Sequence, residues 1–414
     1  MVSIIIPVFN VERCLSVCID SIRRQTDQNF EVICVNDSST DRSREVLSLY
    51  EKVDSRVKVI DVPNGGPSAA RNAGLAASSG DIVWFVDSDD ILEQSAIATI
   101  GKTFAETGAD MVTFGAVCYP SFYGNPWLER CLSPEAKVYE AFCEEVLESP
   151  SHHPFVWRTA FSKSFVEREG LNWDENLRFG EDEALHFAAY PLSRKTVILP
   201  DKLYKYRVSR EGSLMDSRAD AEALKIHDHI RVVEHICREW DKHHICDHHG
   251  DFLLRYIAEF VFIDAVRLPR DVRLSSLNYL SNVLERYFDA GQIDRLCKDK
   301  RYGQLAVAIM KDRSFAFGPK RRFVLYRATF LERPGEMLRR IVAKIGRVTR
   351  LSNFVQFICG IAPVSKRAQT RLFEEQTWFI QQANDSHVAL SLLRMEACEK
   401  PSASTRSQHQ TISF

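Results

Sequence analysis

Over roughly the first ninety residues, apolar β-branched runs and helical spacings alternate with a regularity that few folds accommodate. Val2-Ser3-Ile4-Ile5-Ile6-Pro7-Val8 has the character of a strand buried on both faces and closed by proline. From Val11 to Gln25, the residues Val11, Leu15, Cys18, Ile19 and Ile22 keep the spacing of one helical face. Phe30 to Val35 predicts a second strand, and Ser39-Thr40-Asp41 predicts the start of a helix running to about Tyr50. A strand over Val57 to Val62, a helix over Ser68 to Ala77 and a strand over Ile82 to Val86 complete the series. The pattern predicts an α/β fold: a mostly parallel sheet with helices on both faces.

Beyond Ile91 the signals continue with a helix over Ser95 to Glu106, a strand over Asp110 to Tyr119 and a Pro/Gly/Trp-rich loop to Pro126. Thr196 to Leu199 and Leu203 to Val208 read as two further strands. Helical patterns then take over at Ala219 to Trp240, Phe252 to Leu268 and Leu274 to Phe288, which places a boundary near Ser217. The expected organisation is an α/β domain over 1–216, a helical region over 217–318, a basic helical region over 319–400 and a disordered tail over 401–414.

Composition narrows the functional classes. The 414 residues suffice for two or three domains, and 54 Lys+Arg against 56 Asp+Glu give a net charge of -2, which argues against a nucleic-acid partner. No apolar run reaches the ~18 residues of a membrane span. The chain enters its first strand with no basic leader, so a signal peptide is not expected. The 11 Cys are scattered, without a Cys-x-x-Cys pair, which disfavours a zinc ribbon or a disulfide framework and favours the reducing cytoplasm.

In an open parallel sheet, ligands bind beyond the carboxyl ends of the strands. Those ends carry Pro7, Phe9 and Asn10; then Asn36, Asp37, Ser38 and Ser39; then Asn64, Gly65, Gly66 and Pro67, with Arg71 and Asn72 on the following helix; then Asp87, Ser88, Asp89 and Asp90. Any one of these is an ordinary turn former, but four consecutive strand ends converge on one crevice. Three carboxylates within Asp87 to Asp90 repel one another unless a hard cation or hydrogen-bond donors compensate them, which suits Mg²⁺ or Mn²⁺. Gly-x-Gly-x-x-Gly is absent after the first strand, and a Gly-Lys-Ser/Thr phosphate loop is absent throughout, so a nicotinamide dehydrogenase and a P-loop kinase are disfavoured. The His243-to-His249 cluster lacks ligand spacing and reads as a solvated helix junction, and Cys14 and Cys18 read as small buried hydrophobes.

Taken together, Ser3 to Asn10, Val35-Asn36-Asp37-Ser38-Ser39-Thr40-Asp41, Gly65-Gly66-Pro67-Ser68-Ala69-Ala70-Arg71-Asn72-Ala73-Gly74 and Phe85-Val86-Asp87-Ser88-Asp89-Asp90 resemble the family 2 glycosyltransferases, in order and in spacing. Phe179-Gly180-Glu181-Asp182-Glu183 is similar to that family's Glu-Asp motif. Tyr204-Lys205-Tyr206-Arg207 with Gly212-Ser213 is similar to the end of the catalytic domain in its capsule and exopolysaccharide branch. Asn36 stands where the family often has a first aspartate. The resemblance implies the GT-A fold and an inverting, metal-dependent transfer of a sugar from a nucleotide sugar, most simply a UDP-sugar. The acceptor would be a polysaccharide or a lipid-linked oligosaccharide.

It also implies roles. Pro7, Phe9, Asn10, Asp37, Arg71, Asp87 and Ser88 would bind the nucleotide sugar, with Asp37 on the uracil N3–H and Arg71 facing the diphosphate. Asp89 would hold Mn²⁺ or Mg²⁺, and Asp182 would be the general base. Trp157, Glu181, Tyr206 and Arg207 would face the acceptor. A different class of function stays open beside it: a silent nucleotide-sugar-binding or membrane scaffold within a glycan-synthesis complex. A sugar-nucleotide pyrophosphorylase is disfavoured, because Val8 to Leu15 lacks a basic Gly-rich loop.

One further segment carries information. Between Pro319 and Arg371 only Glu332 and Glu336 oppose a dense series of Lys and Arg. Leu338, Ile341, Val342, Ile345 and Val348 recur there at helical spacing. Two readings stand: a helix lying on an anionic membrane surface through 335–371, on the inner face of the plasma membrane, or one packing on the protein's own core.

Overall fold

The computed structural model describes residues 1–119, 126–208, 222–262, 270–311 and 390–396. Described residues up to 208, together with 390–396, belong to one compact unit, and those from 222 to 311 belong to another.

The first unit is built on a nine-stranded mixed sheet. Strands β1 (Val2–Val8), β2 (Phe30–Asn36), β3 (Val57–Asp61) and β4 (Ile82–Phe85) form its parallel half, in the order β3-β2-β1-β4. Strand β1 pairs with both β2 and β4, so the order reverses beside it and opens a crevice at the carboxyl ends. The period-2 geometry of β1 explains the two cores. Ile4, Ile6 and Val8 pack with Leu15, Cys18, Ile19 and Ile22 of α1 (Leu15–Arg23) and with Val46, Leu47 and Tyr50 of α2 (Ser43–Val53). Ile5 points the other way, toward Ala70 of α3 (Gly66–Ala77). At roughly 2 kcal/mol for each aliphatic side chain removed from water, β1 is a main anchor of the fold. Helix α3 lies so close to β1 that a Cβ on Gly74 would fall 2.3 Å from the Ile5 Cγ2, and only glycine permits that approach.

Beyond β4 the strand directions mix. Strand β5 (Ile91–Leu92) and helix α4 (Ala96–Thr107) lead into β6 (Met111–Tyr119). After α5 (Pro126–Cys131), β7 (Lys137–Tyr139) and α6 (Glu145–Glu148), strand β8 (Thr159–Ser162) enters antiparallel between β4 and β6. Helices α7 (Lys163–Glu169) and α8 (Glu181–Leu192) follow, then β9 (Thr196–Arg207), parallel to β6.

Strand β9 is one element where the sequence suggested two. Pro200-Asp201-Lys202 interrupts its pattern, but a register shift opposite Gly115 absorbs the interruption without ending the strand. The helix expected from Ser39-Thr40-Asp41 begins later, at Ser43, because the Asp41 Oδ1 takes the Ser43 amide (2.9 Å) in a local turn.

The second unit is helical: α9 (Glu222–Lys242), α10 (Cys246–Ile257) continuing in a wider turn over Ala258–Phe262, α11 (Arg270–Tyr287), α12 (Ala290–Lys298) and α13 (Gly303–Ala306). Trp240, Leu253, Ile257, Leu280, Leu284 and Ile309 are buried within it. His243 and His244 lie between α9 and α10, while His248 and His249 lie on α10. The segment 390–396 returns to the α/β unit. Leu393 is buried in the core beside α1 and α2, Arg394 pairs with Glu45 (3.0 Å), and Glu396 pairs with Arg23 (3.2 Å). The basic stretch 319–371, the tail 401–414 and Gly212-Ser213 fall outside the described residues.

Candidate functional site

Loops at the carboxyl ends of β1 to β4 place most of the expected residues together. Asn10 takes a left-handed conformation (φ 51°), and its Oδ1 accepts the Thr40 amide at 2.8 Å, stitching the β1 loop to the β2 loop. The Asp37 carboxylate is buried, and it takes the Gly65 amide on Oδ1 (2.7 Å) and the Gly66 amide on Oδ2 (2.9 Å). It is thereby fixed against the start of α3, with the remaining lone pairs available to a ligand. Phe9 is exposed beside it, and Pro7 is half-buried on β1.

Arg71 is the centre of the site. Its guanidinium, only 5 % exposed, reaches Asp87 at 3.2 Å, Glu181 at 3.3 Å and Asp182 at 3.6 Å. Its opposite face lies 4.4 Å from the Trp173 ring. Burial alone would weaken the positive charge, but Asp182, Asp87 and Glu181 outweigh it and hold the group more firmly protonated than a free arginine. The neighbouring Asn72 brackets the Trp173 backbone, donating to its carbonyl and accepting from its amide, both at 2.9 Å. The Arg71-Asn72 pair therefore fastens the loop that leads into α8. Trp173 was not foreseen, since a lone tryptophan between motifs gives no sequence signal beyond a core residue.

Asp182 sits in the first turn of α8. Its Oδ2 accepts the Val156 amide at 3.1 Å, while its buried Oδ1 has no hydrogen-bond partner. Burial pushes its carboxyl up, Arg71 pulls it down, and Glu181 and Asp87 push it up again, to about 7 in sum. Glu183 is likewise raised, to about 8, by burial and by Asp182. His186, one turn on, is held neutral by burial, which brings its imidazole to about 4. Its Nδ1–H donates to the Asp182 carbonyl (2.7 Å) and its Nε2 accepts from Thr159 (3.1 Å), tying the first turn of α8 to β8.

In the acidic turn the side chains alternate. Ser88 and Asp90 are buried, whereas Asp87 and Asp89 are half-exposed. Asp90 points inward, accepting from the Tyr204 hydroxyl (2.7 Å) and the Arg207 amide (2.6 Å). Asp87 and Asp89 keep part of their surface open to solvent, Asp87 while paired with Arg71. Carboxylate oxygens there would suit a divalent cation with oxygen preference. Among the described residues no three His, Cys, Asp or Glu side chains converge into a protein-only cage, so further oxygens would come from a ligand.

The residues expected on the acceptor side are distributed differently. Glu181 pairs with Arg71. Trp157 is 2 % exposed and stacked with Tyr204 (4.5 Å), Tyr206 (5.0 Å) and Phe155 (5.2 Å). Arg207 is buried, its Nε donating to the Asp89 carbonyl at 2.6 Å.

Comparison with known proteins agrees with this geometry. Residues 3–169 match the sequence profile described as Glycosyl transferase family 2. The chain is 37% identical to the glycosyltransferase GlyA of Streptococcus pneumoniae serotype 4, over 51% of this chain and 31% of that protein. It is 33% identical to the uncharacterized glycosyltransferase EpsJ of Bacillus subtilis, over 50% and 61% respectively. Thus it spans less than two thirds of either. It is 31% identical to the glycosyltransferase GlyG of Streptococcus pneumoniae serotype 4, and there the match covers 53% of this chain and 74% of that protein. In fold it resembles S. aureus TarS 1-349 solved in complex with UDP-GlcNAc, with a TM-score of 0.63 at 22% identity over 78% of this chain and 90% of that one. With its motifs assembled at the ends of β1 to β4 and on α8, in the α/β fold that the GT-A resemblance implied, this chain belongs to the family 2 glycosyltransferases.

Proposed function

We propose that the protein transfers a sugar, with inversion, from a UDP-sugar to the hydroxyl of a glycan or lipid-linked acceptor in cell-surface polysaccharide synthesis. The observation that carries this reading is the placement of Asp182, raised to about 7, across Arg71 from Asp87 of the acidic turn. A carboxylate poised near neutral pH accepts a proton well, and in an inverting transfer the base would act from the face of the sugar opposite the departing diphosphate. The acceptor oxygen forms its bond to the anomeric carbon and gives its proton to Asp182. The bond from that carbon to the diphosphate oxygen breaks, and UDP leaves with the electron pair.

Asp37, fixed by the Gly65 and Gly66 amides, would read the uracil N3–H, and Pro7 and Phe9 would line the base. Asn10, Ser88 and Arg71 support this pocket. Asp89, with Asp87 beside it, would hold Mn²⁺ or Mg²⁺, which when bound neutralises charge on the departing diphosphate. Relatives such as the Bacillus spizizenii poly(ribitol-phosphate) beta-glucosyltransferase (30% identical) suggest a polyol-phosphate or polysaccharide acceptor. An acceptor anchored in the cytoplasmic face of the membrane would suit the excess of Lys and Arg over 319–371, which favours an anionic surface. No helix among the described residues is long and apolar enough to cross a membrane.

The test is nucleoside diphosphate release by the purified full chain, across UDP- and GDP-sugars with Mn²⁺, Mg²⁺ or EDTA, paired with calorimetric titration of each donor. Metal-dependent release from one UDP-sugar, abolished in Asp89→Ala, is expected. Metal-dependent binding with no turnover on any glycan acceptor would favour a silent scaffold, and no binding of any sugar nucleotide by folded protein would overturn the reading.

A further inference from the structure

Strand β9 supports the acidic turn from beneath. Strand β5 follows the turn directly and pairs with β9, Leu92 opposite Tyr204 and Ile91 opposite Lys205, so the register of that pairing sets the turn above it. Tyr204 is fully buried, and its hydroxyl is used twice. It donates to the Asp90 Oδ2 (2.7 Å) and accepts the Asp87 amide (3.2 Å). Three residues further along β9, the Arg207 amide meets the Asp90 Oδ1 (2.6 Å), and its guanidinium meets the Asp89 carbonyl (2.6 Å) while lying over the Tyr119 ring (5.4 Å). Within the turn, the Asp90 amide returns to the Asp87 carbonyl (3.1 Å), which also receives the Cys18 thiol (3.6 Å).

We propose that Tyr204 is a positioning residue of the donor site, its hydroxyl clamping the backbone of Asp87 to the side chain of Asp90 so that the Asp87 and Asp89 carboxylates are presented together. The inference rests on the reading above, in which those carboxylates receive a divalent ion with the nucleotide. A phenylalanine would fill the same space and keep the stack on Trp157, so packing alone does not require the hydroxyl. Its removal leaves two buried groups, the Asp87 amide and the Asp90 Oδ2, short of a partner. The contacts from Arg207 and Cys18 persist, so the turn shifts rather than unfolds. The spacing of the Asp87 and Asp89 carboxylates is what then changes. Arg207, expected at the acceptor, serves the same clamp from the other side.

The experiment is titration of Mn²⁺ into the full chain with saturating UDP, followed by calorimetry and by the electron paramagnetic resonance of free Mn²⁺, with a parallel UDP titration in EDTA. Tyr204→Phe is expected to weaken Mn²⁺ binding about tenfold while leaving metal-free UDP affinity within about twofold of wild type. A merely structural role would lower the melting temperature without separating those two affinities. Asp90→Asn is measured alongside, and the double variant should lose little more Mn²⁺ affinity than the weaker single one, since both break one clamp. Unchanged Mn²⁺ affinity in folded Tyr204→Phe, or losses that simply add, overturns the proposal. Wild type that takes up UDP but no Mn²⁺ instead removes the metal reading beneath it, and wild type that binds neither removes the donor reading itself.

Discussion

The two halves of the sheet supply the site by different means. In the parallel half, polar side chains are fixed by backbone amides close at hand: Asp37 by Gly65 and Gly66, Asn10 by Thr40. In the mixed half, Asp182 has one amide, from Val156, and an oxygen with no hydrogen-bond donor, facing an arginine that the parallel half contributes. A carboxylate that takes an amide on each oxygen is a fixed feature for a ligand to read. One that is crowded by acids and half-satisfied is poised to exchange a proton. On the proposed reading, the site would divide recognition from chemistry along the same line that divides parallel from mixed strands.

Exchanging the perturbation between the halves gives the largest test. Asp182→Asn should lower turnover by about 10³-fold with UDP affinity within about twofold of wild type, whereas Asp37→Asn should weaken UDP binding about tenfold with a smaller change in kcat. Equal effects on both quantities in both variants would dissolve the distinction. Steady-state kinetics with calorimetric binding decides it.

A smaller effect concerns pH. Because the Asp182 carboxyl is raised to about 7 and must be ionised to accept a proton, kcat/KM should fall about tenfold per unit as pH drops below about 7. A profile flat down to pH 5 would separate Asp182 from the chemistry.

The smallest effect is on stability. An acid whose folded-state pKa is raised keeps its proton in the fold after the unfolded chain has lost it, so the wild type loses stability as pH climbs from about 4 to about 7. Asp182→Asn carries no such burden. Its melting temperature should match wild type near pH 4 and exceed it by about 2–4 °C from pH 7 upward, read by calorimetric scans at both pH values. An advantage that is largest at low pH would contradict the sign.

The parallel half was legible because its strands are continuous apolar runs and its site residues sit within a few positions of each strand end. Period and punctuation therefore located β1 to β4 and the crevice above them. The mixed half was legible only in pieces. Glu181 and Asp182 were visible through family resemblance, but nothing local marks Trp173 as the ring beneath Arg71. Trp157 and Tyr206 were expected at the acceptor, but nothing in the sequence marked a role for Tyr204, whose stack on Trp157 and hydroxyl bonds appear only in the structure. Strand β9 looked broken at Pro200 because a register shift is a property of two strands, and a one-dimensional pattern does not contain it. Arg71 shows the same limit in energetic form. Its residue type suggested a diphosphate contact, but no local pattern announces Glu181 and Asp182, which lie more than a hundred residues away in sequence.

The segment 390–396 bears on how this protein could be taken apart. It belongs to the α/β unit, with Leu393 in the core beside α1 and α2, although the helices from 222 to 311 belong to the other unit. In topology the helical unit is therefore a parenthesis opened after β9 and closed before 390, rather than a suffix. A stop codon placed after β9 would strip a core side chain and two ion pairs from the catalytic half along with everything it was meant to remove. Grafting the helical unit between relatives calls for two splice points, and shortening the chain calls for an internal bridge that spares residues 390–396.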